Sequence, residues 1–184
     1  MDTKKSILKF IFVGYLFAQV IEFQFNILIT GNIGNWIFTL LFYPLLLTLA
    51  YYSTKLINNI QNKQLGNFLY FLFWSCFGLF IMEWTIIGNS PWSNPDANQL
   101  GMFSFWAAVF MMPKIFTDKN EHLKNLKKNI TYYFVAYALI TTPLGLVLPQ
   151  NLRLFVLVWF EIIGYTAMHL FYFSYLKNYS ISTK

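Results

Sequence analysis

The chain has 184 residues, of which 57% are hydrophobic, 21% aromatic and only 11% charged, with a formal net charge of +6. That is too apolar and too poor in charge for an ordinary soluble domain. At about 20 apolar residues per bilayer crossing, there is room for about six helices with short connections and none for a second, soluble domain. The lone cysteine, Cys76, excludes an intramolecular disulfide and a thiolate metal cluster.

The opening segment MDTKKSILKFIFVGYLFAQV has the basic start and apolar run of a signal peptide. It lacks a small-residue cleavage site and runs on through Glu22, so a retained first helix is expected over residues 7–30. Further apolar spans follow at residues 36–57, 68–87, 101–116, 130–148 and 154–175. They are separated by GNIGN, NNIQNKQLGN, GNSPWSNPDANQ, TDKNEHLKNLKKN and PQN, where Gly, Asn and Pro mark turns. The expected fold is all-α: a polytopic membrane bundle of six transmembrane helices, forming one integral-membrane domain over residues 1–184. Pro113, Pro143 and Gly145 fall in or near apolar spans, and TTPLG is the best candidate for a hinge or broken helix.

Lys and Arg in alternate connections set the orientation. All twelve lysines (4, 5, 9, 55, 63, 114, 119, 124, 127, 128, 177 and 184) fall on one face, and Arg153 alone falls on the other. Both termini are therefore expected in the cytoplasm. Topology accounts for the basic charge, so no nucleic-acid partner is expected. The lysines of the fourth connection can also touch anionic headgroups. Trp36, Trp84, Trp92, Trp106 and Trp159 lie near the outer ends, and Tyr51, Tyr52, Tyr132, Tyr133, Tyr172 and Tyr175 near the inner ends, as an interfacial aromatic belt predicts.

Three glutamates interrupt the apolar spans: Glu22, Glu83 and Glu161. An ionisable side chain at bilayer depth costs several kcal/mol unless it is paired, neutralised or hydrated, so each is a candidate functional residue. At about 1.5 Å per residue, Glu22 lies about 12 Å, Glu83 about 6 Å and Glu161 about 10 Å below the outer helix ends. Asp96 lies in the outer loop above them, and Glu83 is placed near the rim. Helical spacing puts Tyr15, Gln19, Glu22 and Asn26 on one stripe, and Glu161, Tyr165, His169 and Tyr172 on another. Such stripes face the bundle interior or water, because lipid offers no hydrogen-bond partners. They are expected to face each other, with Glu22, Glu161 and Glu83 as candidate catalytic acids and Gln19, Asn26, Trp84, Trp92, Tyr165 and His169 as candidate ligand contacts. The loop carrying Trp92 between Pro91 and Pro95 reads as a cap over that place. Packing by interhelical hydrogen bonds is the competing explanation for the uncharged members.

No metal site and no cofactor is expected. His122 and His169 are far apart in the sequence, and no Walker loop, H-E-x-x-H, nucleophile elbow, prenyltransferase or acyltransferase pattern is present.

Val20-Ile21-Glu22, Pro44-Leu45-Leu46, Glu83 and Phe103-Ser-Phe-Trp-Ala-Ala-Val-Phe110 together resemble the emopamil-binding and sigma-2-receptor type (EXPERA-type) of membrane domain. The resemblance implies acidic residues inside a small helical bundle facing a sterol-like or cationic amphiphile. Ala18 stands where a sterol isomerase of that group carries histidine, the second helix has no glutamate, and two further helices follow.

Three functions fit this pattern. The first is a pocket for an apolar or amphiphilic ligand such as an isoprenoid, sterol-like lipid or carotenoid, with proton-transfer isomerisation or cyclisation as its chemistry. The second is a small proton- or cation-coupled transporter. The third is a non-catalytic subunit whose polar residues engage a membrane partner or a second copy of the chain.

Overall fold

A computed structural model describes residues 3–95 and 98–181; Asp96 lies outside the described residues. Among them the fold is wholly helical, and six helices are long and apolar enough to cross a membrane. Helix α1 (Thr3–Glu22) widens into a π-helical segment over Phe23–Ile29. After α2 (Ile33–Ile57) comes α3 (Lys63–Cys76), which widens in the same way over Phe77–Ile87. Then follow α4 (Gln99–Thr117), a 3₁₀ turn (Glu121–Leu123), α5 (Lys124–Val147) and α6 (Gln150–Ile181).

Asparagine starts four of these elements. Asn32, Asn62 and Asn98 each accept a hydrogen bond from the backbone N–H three residues on, and Asn120 accepts one from the N–H of His122. Each satisfies a donor that the first helical turn leaves orphaned. Because Asn62 caps α3, that helix begins at Lys63, ahead of the expected position 68. The end of the lysine-rich stretch read as a connection, residues 124–129, is the first turns of α5, since a helix can continue beyond the apolar layer and lysine is a good helix former. Helix α6 likewise runs past position 175.

Pro143 does not break α5. It lies in the last turns of a helix that continues to Val147, and Gly145 beside it lets Leu28 approach closely. The expectation of a broken helix at TTPLG is corrected on this point.

The apolar faces settle which helix is central. Every residue from Ser104 to Ile115 of α4 is buried, whereas α2, α5 and α6 leave long rows of Leu, Ile and Phe exposed on their outer faces. An all-round buried helix belongs in the middle of a bundle. Helix α1 packs against α4 and α2, while α3 and α6 take other sides of α4 and α5 packs on α6. On the lysine-rich side, the 118–123 connection is tied down by the Lys127 ammonium donating to the Asp118 carbonyl oxygen and by Tyr175 donating to Asp118 Oδ2 at 3.0 Å.

The aromatic belt is only partly realised. Trp92 and Trp159 are exposed, but Trp106, Tyr172 and Tyr175 are buried. These three belong to the core, because each packs its ring between helices.

Candidate functional site

Both π-helical segments coincide with acids. The first begins directly after Glu22, and the second contains Glu83. A π turn widens the backbone and changes which side chains share a face, and such turns recur at functional sites. Gly78 lets the second one reach α4, because a Cβ there would fall inside the Trp106 ring. Gly88 ends it in the left-handed region at φ 87°, and its N–H donates to the Glu83 carbonyl oxygen.

Glu22 is held on both oxygens. Tyr43 of α2 donates its hydroxyl to Oε1 at 2.5 Å, and Asn26, four residues on, donates to Oε2 at 2.6 Å. Glu83 is held in the same manner: the Trp106 indole N–H donates to Oε1 at 3.0 Å and Asn89 to Oε2 at 3.0 Å. The Tyr43 and Trp106 rings lie 5.8 Å apart at 34°. The two acids are thus joined by an aromatic bridge, each with two donors to complement a carboxylate. Glu83 lies one turn from the end of its helix at Ile87, and its side chain is buried, 8% exposed.

Glu161 is different. It is partly buried on α6 and has no hydrogen-bond partner among the described residues. Tyr165, one turn further along the same helix, is partly buried and packs against the core.

The remaining predicted contacts divide. Asn26 is bonded to Glu22, and Tyr165 packs against the core. Gln19 donates to Thr39 Oγ1 at 3.5 Å while its own carbonyl oxygen is buried without a partner. Trp84 donates to Gln99 Oε1 at 2.6 Å, and Trp92 packs edge-on against it at 5.2 Å while 79% exposed. Trp92 thus covers Trp84, and its ring does not close over the acids. His169 lies apart from them, with Nδ1 donating to the Tyr165 carbonyl oxygen at 2.7 Å.

Sequence reasoning missed Tyr43 and Trp106, the two residues that bind the acids, and also a second polar node. Gln24, wholly buried, donates to Thr141 Oγ1 at 2.6 Å and accepts from the Tyr137 hydroxyl at 3.2 Å. The signal available was that Gln24 is polar in an apolar span.

At the Arg153 end of the bundle, Leu28, Ile29, Gln150, Asn151, Arg153 and Leu154 line an open groove of about 520 Å³. The Arg153 guanidinium donates to the carbonyl oxygens of Leu28 at 2.8 Å and Leu148 at 3.0 Å. It thereby caps the C-terminal ends of two helical segments, where a cation is favoured.

No family model, characterised protein or solved structure matches this chain.

Proposed function

We propose that the chain binds an apolar or amphiphilic ligand, such as an isoprenoid or a sterol-like lipid, at the cluster of Glu22, Tyr43, Trp106, Glu83 and Glu161, and acts on it by proton transfer. The observation that carries this reading is the contrast among the acids: Glu22 and Glu83 each hold two donors, whereas Glu161 holds none among the described residues. Such a contrast suits one group that gives a proton and another that takes one. The open groove at Arg153 offers an entry from the outer leaflet, between the ends of the helices that carry Glu22 and Glu161. The resemblance to EXPERA-type domains points to the same class of ligand.

In the catalytic form of this proposal, the Glu161 carboxyl gives its proton to one carbon of an alkene, and the π electrons form the new C–H bond. The cation left on the other carbon faces the rings of Tyr43 and Trp106, whose negative faces stabilise it. The Glu22 carboxylate then removes a proton from the neighbouring carbon, and that C–H pair forms the new double bond. The ligand is isomerised with no net change in protons or electrons, and Glu22 loses its proton to water while Glu161 regains one from water before the next turnover, so no cofactor is needed. Attack of a second double bond on the cation before deprotonation would give a ring instead.

The orientation that goes with this proposal has both termini in the cytoplasm, as the lysine distribution favours, and the acids in the outer half of the bilayer. The test is thermal unfolding in lipid nanodiscs against a panel of isoprenoid alcohols and sterols. At least one of them should raise the melting temperature of the wild type and fail to raise that of Glu161→Gln. A panel without effect on the wild type counts against the proposal.

A further inference from the structure

A second polar place lies apart from the acid cluster, where α3, α4 and α6 meet. Its cavity is about 10 Å³, the order of room one water molecule needs. Phe71, Ala108, Met111 and Met168 supply apolar walls, and three side chains that can hydrogen-bond line it as well: Ser104, His169 and Tyr172.

Each of the three has capacity to spare or a need unmet. The Tyr172 hydroxyl is buried with no hydrogen-bond partner in a residue 2% exposed. Ser104, 4% exposed, brings a hydroxyl that can donate or accept. His169 donates from Nδ1 to a carbonyl oxygen, which can only accept, so in the neutral ring Nε2 is left as an acceptor. A buried hydroxyl without a partner is costly, and native proteins satisfy such groups with protein or with ordered water. Two hydroxyls that can donate or accept and one acceptor nitrogen, on residues lining a space of one molecule, can supply the two to four contacts that a buried water makes.

We infer that this cavity is a binding site for a single water, held by Tyr172, His169 and Ser104. The water accepts from the Tyr172 hydroxyl, donates to His169 Nε2 and exchanges its remaining bond with Ser104. The Met and Phe walls limit the site to a small neutral molecule, since no charged group lines it. His169 is bonded to the backbone of Tyr165, one turn from Glu161 on the same helix. The site therefore supplies a hydrated group on α6 about two helical turns from Glu161, on its lysine-rich side.

The sign of a stability change tests this directly. Tyr172→Phe keeps the ring stacked on Phe71, whose centroid is 4.4 Å away, and removes only the hydroxyl. If water fills the site, the melting temperature of Tyr172→Phe falls, because the water and His169 lose a partner. If the cavity is dry, the melting temperature rises, because an unsatisfied hydroxyl has been removed, and the inference is overturned. Solid-state NMR of the ¹⁵N-histidine-labelled protein in liposomes, in a His122→Gln background, gives an independent reading. Magnetisation should pass from water to His169 Nε2 in the wild type and lose most of its intensity in Tyr172→Phe. No transfer in the wild type, or a proton on Nε2 instead of Nδ1, contradicts the site. Neither measurement involves the acids, so both stand whatever ligand the cluster binds.

Discussion

Tyr43 and Trp106 each commit their one polar hydrogen to a glutamate from another helix, in a core where both rings are 2% exposed. Such bonds are worth more as obligations than as attractions: a buried acid that loses its donor keeps its desolvation cost. Tyr43→Phe, which preserves the ring, should destabilise the bundle by about 1–3 kcal/mol, measured as a shift in detergent-induced unfolding. In a Glu22→Gln background the same change should cost less, with a coupling of about 0.5–3 kcal/mol between the two sites. Additive effects would separate Tyr43 from Glu22. At this scale the sequence was a partial guide. Three acids in apolar spans were legible because charge is rare there, and Asn26 because it lies one turn from Glu22. Tyr43 and Trp106 were not, because an aromatic residue in a membrane helix is equally at home in lipid, in the core or at the interface.

The helical elements explain how Glu22 and Glu83 come to share the Tyr43–Trp106 bridge. Constant α-helical spacing correctly pairs Glu22 with Asn26, but it does not foresee the π-helical turns of Phe23–Ile29 and Phe77–Ile87. Those turns bury Gln24 against α5 and bring Glu83 inwards to Trp106. Nothing in an apolar run such as FGLFIMEWTII distinguishes a π from an α backbone, since tertiary contacts decide it. Gly78 is the local requirement that can be tested. Gly78→Ala should cost about 1–3 kcal/mol through overpacking, and should release the Glu83–Trp106 bond, read as a red shift of the indole fluorescence in a variant with Trp106 as its only tryptophan. The helix starts were more legible than their positions implied: Asn32, Asn62, Asn98 and Asn120 all became caps. Asn62→Ala should destabilise by about 0.5–2 kcal/mol in the same unfolding measurement. The start of α5 was misplaced because the edge of the apolar layer and the edge of the helix are different boundaries.

For the molecule as a whole, hydropathy alone located all six spans, because each must satisfy its backbone internally if it is to lie in lipid. It could not show which helix is central, since every span is apolar and only packing singles out α4. The lysine distribution makes a prediction about sidedness. In a Cys76→Ser background, cysteines placed at either terminus should react with an impermeant maleimide only after the membrane is opened. The central claim is that Glu22, Glu83 and Glu161 surround one place for an apolar ligand, and mass spectrometry of the lipids that co-purify with the protein addresses it most directly. Wild-type protein should retain a defined isoprenoid or sterol-like species that is depleted at least tenfold in Glu22→Gln, while bulk phospholipids stay the same. A lipid profile identical in both proteins would contradict the account.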